Sequence, residues 1–379
     1  MAASLFRLVE TLDFYSSPWY NNCIDVKEFV MRKMATVRKI DALNPIVGAD
    51  AIECAVVDGW KVVVKKGEFR VGDLAVYCEI DSWVPTEVAP FLSKGKEPRE
   101  FEGVKGERLK TIKLRGQLSQ GLLLRMENKM DGGWLMPVTR RCNVKEGEDV
   151  SEELNIKKWE KPINAQLAGV CKGNFPSLIP KTDQERVQNL KKELANAIEA
   201  KAKYEVTEKL EGSSMTCYLM DGVFGVCSRN MDLKETEGNA FWATARREGI
   251  EDKMRNEFGL ADFAVQGELI GPGIQGNIYK LTEPKFFVFD IYDVRTGAYV
   301  DPATRRAMVE SMGLNHVPVL AYTAELYDTL GIADVDSTLQ FAEGKSKLFD
   351  TEREGVVFKD VNGGMTFKAI SNVYLLGEK

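Results

Sequence analysis

Histidine is nearly missing from this sequence: His316 stands alone among 379 residues. That scarcity excludes multi-histidine metal centres and two-histidine acid–base pairs. Any catalysis must run on lysine, on carboxylates, or on a metal held by carboxylates. His316 lies in a loop-like stretch near Pro318 and reads as a surface or packing residue. Paired cysteines are missing too. Cys23, Cys54, Cys78, Cys142, Cys171, Cys217 and Cys227 are odd in number and contain no C-x-x-C, which points to reduced thiols and away from a zinc ribbon or redox motif. No apolar run is long enough to span a bilayer. The opening "MAASLFRLVETLDFYSS" lacks the basic-then-apolar layout of a signal peptide. An intracellular protein without membrane contact or an obligate protein partner is expected. Positive charge is not in excess either: the formal net charge of −6 removes a globally basic nucleic-acid binder but leaves room for a local basic groove. "VKGERLKTIKLRG", with Lys105, Arg108, Lys110, Lys113 and Arg115, is that candidate; a lysine-blocked edge strand is the competing reading.

The length suggests two domains. Between residues 33 and 150, "KMATVRKI", "DAIECAVVDGWKVVVKKG", "VGDLAVYCEIDSWVP", "RLKTIKLRG" and "QGLLLRM" show β-rich alternation, with Asp58-Gly59 as a hairpin signal. Such a series predicts a small closed barrel, of which the OB-fold is the common nucleic-acid-binding form. Residues 1–155 are assigned to this unit, with 1–30 an aromatic-rich extension of unclear role. A proline-punctuated linker is expected over 156–180. Asp183 is expected to cap a helix through "DQERVQNLKKELANAIEAKAKY". Further on, "YEVTEKLEG", "SSMTCYLM-DG-VFGVCSRN", "FAVQGELIG", "KFFVFDIYD", "REGVVFKD" and "GGMTFKAI" read as strands, and "DPATRRAMVESMG" as a helix. The whole is predicted to be α+β, with a mixed second domain over 181–379.

"GELIGPGIQGN" contains Gly271-x-Gly273-x-x-Gly276, the spacing of a dinucleotide fingerprint. It fails in context, because only "NIYKLTE" separates Gly276 from Pro284 and no helix follows to receive a pyrophosphate. "GKS" at 344–346 fails as a P-loop, since the first glycine position holds Leu339. Lys-x-x-Gly is a more useful signal. It occurs at Lys113, Lys129 and Lys209, yet only Lys209-Leu-Glu-Gly212 ends a predicted strand and precedes Ser213, Ser214 and a hairpin. Lys129 is read as a decoy. After Lys209 come, in order, "SRN" at 228–230, "GE" at 267–268, "FFVFDI" at 286–291, "EGVVFK" at 354–359 and "TFK" at 366–368.

This ordered set resembles the nucleotidyltransferase motifs of polynucleotide ligases and capping enzymes. It is most similar to the T4 RNA ligase 2-like group, which carries a like "GE…GPGIQ" segment. The preceding "PKTDQERVQN" and the N-terminal barrel resemble the Deinococcus-type RNA ligases. The motif resemblance covers residues 175–379. It implies an ATP-dependent RNA ligase that needs Mg²⁺ or Mn²⁺ and joins RNA 3′-OH and 5′-phosphate ends through a lysyl-AMP and an adenylylated 5′ end.

Lys209 is then the nucleophile. Its amine must be neutral to attack, which burial and nearby cations would favour. Lys359 and Lys368 are expected to supply that positive field and to neutralise phosphates. Glu211 and Glu354 are the candidate contacts to the metal or its waters. The resemblance also implies adenine stacking by Phe289, ribose and phosphate contacts from Arg229 and Glu268, and orientation of Arg229 by Asp290. Asn230, Glu208 and Arg186 are secondary nucleotide-binding candidates. Thr366 stands where the T4-type pattern has a lysine, so one phosphate contact is unassigned. Lys105–Arg115 would hold the substrate strand. A DNA ligase or a GTP-using capping enzyme stays open, although both usually place an OB domain after the last motif, and this chain ends close to Lys368. A non-catalytic OB protein with a decayed pocket also stays open.

Overall fold

The computed structural model describes residues 33–129, 135–137, 144–160 and 169–377; the expected 1–30 extension lies outside them. In the N-terminal part the alternation works as read. Trp60, Val62 and Val64 point into an apolar cluster while Lys61 and Lys65 do not, which makes Trp60–Lys65 a half-buried strand. It pairs with Ile52–Val57 across a two-residue turn in which Asp58 takes a left-handed conformation. Ala42–Pro45 completes that three-stranded sheet, and Ala35–Lys39, Leu74–Cys78 and Leu122–Arg125 form a second. A four-stranded sheet holds Lys157–Lys158, Ser82–Pro85, Val104–Arg108 and Arg99–Phe101. Apolar side chains of the second sheet supply both clusters of this unit: Val37 and Val76 go to one, Ala75, Tyr77 and Leu123 to the other. Lys129 falls on a short strand, Glu127–Lys129, paired with Leu135–Pro137.

The remaining chain builds two sheets. The eight-stranded one runs Cys171–Asn174, Met231–Leu233, Val223–Cys227, Ser213–Met220, Phe263–Ile270, Lys285–Asp293 and Ala298–Tyr299, with Asn315–His316 parallel to Lys285–Asp293. The five-stranded one runs Glu185–Arg186, Thr366–Ile370, Gly355–Asp360, Lys203–Lys209 and Val319–Glu325. Each sheet packs helices on one face. Ala240–Arg247, Ile250–Phe258 and Pro302–Ser311 cover the first, and Lys191–Glu199 and Val335–Ala342 the second. Leu210, Ile270, Tyr279, Phe287 and Val317 meet between the sheets, so the strand ends that carry polar residues face a shared cleft.

Two expectations need correction. The helix starts at Lys191, eight residues after Asp183. Before it, Glu185–Arg186 pairs in parallel with Phe367–Lys368 and Val187–Asn189 form a 3₁₀ turn. Tertiary pairing has overridden a favourable helical composition. The 156–180 linker is also stitched at both ends, through Lys157–Lys158 to Ser82–Trp83 and through Cys171–Asn174 to Met231–Leu233.

Candidate active site

Alternation along Lys203–Lys209 sends Tyr204 and Val206 into the helix-covered core, leaving Glu205, Thr207 and Lys209 on the cleft face. Gly355 lies opposite Lys209. It must be glycine, because a Cβ there would meet the Ala369 carbonyl oxygen at 2.2 Å. Glu354, just before it, reaches Lys209 Nζ at 2.6 Å. Glu268 enters from the neighbouring sheet, where its strand pairs with Ser213–Met220. Burial alone would lower the proton affinity of Lys209, but Glu354 and Glu268 outweigh it and hold the amine above the usual lysine range, with Arg229 opposing them. This overturns the expected depression: the groups around Lys209 are mainly carboxylates. Burial also pushes Glu268 up to about 8, and the charge of Glu354 adds to the effect while Lys209 and Arg229 oppose it.

Lys359 does not join this group. It lies opposite Glu205, four residues and about 13 Å along the strand from the Lys209 pairing. Its Nζ donates to Asp290 Oδ1 at 2.6 Å and to the Phe289 carbonyl at 2.6 Å. Burial and Arg305 lower its affinity for a proton to about 8, against the pull of Asp290. Asp290 therefore serves Lys359 and does not orient Arg229. Arg229 bonds to Asp183 at 2.5 Å and lies 3.6 Å from Glu160. Asn230 joins the same patch, donating to Glu160 and accepting from Lys181. Burial works against charge on Asp183, yet Lys158, Arg229 and Lys368 hold its carboxyl well below the ordinary range. Arg186 sits beside Lys368 in parallel register and reaches Asp81 of the N-terminal unit at 3.4 Å.

Phe289 is placed by a β-bulge. Gln266 pairs with Asp290 and Gly267 with Val288, so Phe289 is the extra residue. The bulge turns Phe289 toward the cleft cluster, while Phe286 stays in the core. Glu208 points to the reverse face, where its Oε2 accepts the Lys347 amide at 2.8 Å. Glu211 is braced by the glycine loop: Gly276 N–H donates to its Oε1 at 3.1 Å, and its own amide donates to Tyr279 Oη at 2.7 Å. The loop that mimics a dinucleotide fingerprint is thus a buttress for the Lys209–Gly212 turn.

The basic stretch divides. Arg108 is internal, bonding to Asp81 at 2.5 Å and stacking 4.1 Å from the Trp159 ring centroid, which removes it from a solvent-facing RNA contact. Lys105 pairs with Glu97. Lys110, Lys113 and Arg115 are exposed, the last at the two-residue turn of the Ile112–Leu114/Gln117–Ser119 hairpin. Asp183, Glu160, Glu205 and Arg305 escaped the sequence reading. Asp183 was hidden by its fit to a helix cap, and the others had no local signal. Among the described residues, no group of three or more His, Cys, Asp or Glu is poised to hold a metal.

Comparisons with known proteins agree with this arrangement. An OB-fold domain model matches residues 34–126 and an RNA ligase model matches residues 202–370. A Naegleria gruberi RNA ligase with PPi is 44% identical, covers 92% of this chain and 99% of its own, and superposes with a TM-score of 0.80. The same figures hold for a mutant of that ligase with ATP and Mn. An apo mutant of it gives 44% identity, 92% and 98% coverage, and a TM-score of 0.81. No curated protein sequence matched. With this identity over nearly the whole length of both chains, the protein belongs to the RNA ligase family.

Proposed function

We propose that the chain seals RNA 3′-OH and 5′-phosphate ends in three steps, with Lys209 as the nucleophile. The observation that supports this most is Lys209 at a strand end, 2.6 Å from Glu354 and facing Glu268 across the mouth of the two sheets. In the first step Lys209 Nζ bonds to the α-phosphorus of ATP as the bond to the β-phosphate oxygen breaks and pyrophosphate leaves. The AMP then passes to an RNA 5′-phosphate, and a 3′-OH displaces it. Lys209 must first lose its proton. Since Glu354 is a main cause of its high proton affinity, separating the two lowers that affinity.

A divalent cation fits the donors present. Glu354, Glu268 and Glu211 offer hard oxygen ligands, and burial, aided by Glu354, holds Glu268 up at about 8, where a nearby cation would favour its charged form. With no ready-made cluster among the described residues, Glu354 and Glu211 would hold Mg²⁺ or Mn²⁺ jointly with phosphates and waters. When bound, the ion supplies positive charge to the reacting phosphate. Phe289 is assigned to the adenine face, Glu268 and Arg229 to the ribose and phosphate ends, and Lys359, Lys368 and Arg186 to phosphates. Glu208 and Asn230 support the walls. Exposed Lys110, Lys113 and Arg115 would follow an RNA backbone at a nick or break in structured RNA, without an obligate protein partner.

The test is covalent labelling. Wild type incubated with α-labelled ATP and Mn²⁺ or Mg²⁺ should carry a nucleotide adduct, GTP should label poorly, and Lys209→Ala should carry none. An unlabelled wild-type protein would sink this reading. Sealing of nicks with RNA, but not DNA, at the 3′-OH side is the expected specificity.

A further inference from the structure

Six charged or titratable side chains, of which only Lys359 is given a role in the steps above, meet between the sheets: Glu205, Asp290, Arg305, Arg306, His316 and Lys359. Arg305 is 1% exposed and Glu205 0%. Arg305 comes from the Pro302–Ser311 helix, whose start is fixed by Asp301 accepting the Ala303 and Thr304 amides. Its Nη2 donates to Glu205, its Nη1 to Asp290 Oδ1 at 3.3 Å and its Nε to His316 Nε2 at 3.3 Å. Arg306 Nε lies 3.4 Å from Glu205 Oε1. A single oxygen, Oδ1 of Asp290, thus receives both Arg305 and Lys359.

Buried ion clusters are poor sources of net stability, because desolvation consumes most of the Coulombic gain. What this one does offer is placement. Glu205 and Lys359 are cross-strand partners in the five-stranded sheet, whereas Asp290 belongs to the eight-stranded sheet, at the bulge that turns Phe289. The guanidinium bonds to one carboxylate from each sheet, and its planar fork holds both at fixed angles.

We infer that Arg305 is a positioning residue for the adenylylation step: by clamping Glu205 to Asp290 it fixes Lys359 and the Phe289 bulge where they meet the nucleotide. The inference rests on the ligase reading above. It also sets a pH signature. Lys359 is faced by Asp290 and Phe289 on the strand, by Glu205 across the sheet, by Arg305 and Arg306 from the helix and by His316. Burial and then Arg305 favour its neutral form, Asp290 and Glu205 its charged form, and it loses its proton at about 8. If its charge serves the phosphates, and Lys209 parted from Glu354 has already lost its proton in the ATP complex, the rate falls as pH rises through that value. Arg305 acts on Lys359 more strongly than Glu205 does, so removing both moves the fall to higher pH.

Arg305→Gln alone would leave the buried Glu205 with only the longer Arg306 contact and Asp290 with Lys359, and can fail to fold. The test therefore uses Glu205→Gln/Arg305→Gln, which deletes one charge of each sign, with unfolding curves run on the same samples. The double variant should remain folded and form lysyl-AMP in single turnovers on the order of 100-fold more slowly, with its alkaline limb shifted upward. A folded double variant with wild-type rate and an unmoved limb overturns the inference. So does a rate loss that merely equals its unfolded fraction. A wild type that forms no adduct overturns the ligase reading, and this inference with it.

Discussion

At the scale of single residues, the lone histidine has more consequence than its loop-like setting suggested. His316 Nδ1 lies 2.7 Å from the Val317 carbonyl while Nε2 accepts from Arg305 Nε, which fixes a neutral tautomer. Burial and then Arg305 push its pKa down to about 4; the Val317 carbonyl opposes them, and Lys359 and Arg306 add to the depression. A base with a depressed folded pKa gives stability that is full above its unfolded value near 6.5 and is lost as pH falls toward 4. In that window the unfolded chain binds the extra proton. Between pH 7 and 4.5 this residue should account for roughly 2–3 kcal/mol of lost stability. His316→Gln keeps an acceptor for Arg305 and removes the titration. Denaturant midpoints at the two pH values should therefore converge by that amount in the variant. Equal acid loss in both proteins would show that His316 is already exposed to protons.

At the scale of elements, legibility followed the range of the forces involved. Lys285–Asp293 matches the strand read from "KFFVFDIYD", and Asp221-Gly222 is the left-handed turn its residues predicted, because alternation and turn chemistry are local. The Lys209 turn was found for the same reason. Asp183 was misread because a polar residue before a lysine- and alanine-rich run looks like a cap, and only the fold brings Lys158 and Arg229 to it. The Arg305 clamp joins groups on separate elements, so periodicity carried no trace of it. The glycine loop illustrates both sides. Its spacing imitated a nucleotide fingerprint, yet Gly271 and Gly273 are glycines for different reasons. Gly271 has φ +135°, and a Cβ there would meet Pro284 Cα at 2.7 Å, whereas Gly273 has φ +78° and open space around it. Gly273→Ala should cost about 1 kcal/mol in strain alone. Gly271→Ala should cost about 3 kcal/mol and loosen the brace on Glu211. Chemical denaturation of the two variants tests this ordering, and equal losses would mean that contact with Pro284 does not limit the loop.

At the scale of the whole molecule, one asparagine gathers several of the bonds between the N-terminal barrel and the catalytic unit. Asn189 Oδ1 accepts from Trp60 Nε1 at 2.7 Å and Arg38 Nη2 at 3.0 Å, while Nδ2 donates to Glu79 and, at 2.8 Å, to Glu185. Both donor and acceptor capacity are filled, and three of the four partners belong to the barrel. The same short segment carries Arg186 alongside Lys368. Gly59 N–H donates to the Gln188 carbonyl beside it, and a Cβ on Gly59 would strike Gln188 and Val335, so the two surfaces meet without room for a side chain. Lys61 to Asp336 and Lys191 to Asp41 add exposed pairs that contribute little. Asn189→Ala would leave the Trp60 indole and Glu79 without this partner, at a cost of about 2–4 kcal/mol. Because the bonds lie at the junction, the loss should appear first as separation of the units. Proteolysis between the barrel and residue 190 should accelerate before the thermal transition of either unit moves. Asn189→Asp should restore neither behaviour, since a carboxylate cannot donate to Glu79 and Glu185. If Asn189→Ala instead melts as a single unit at the wild-type temperature, the barrel is held by its surface fit around Gly59, and the asparagine merely fills the seam.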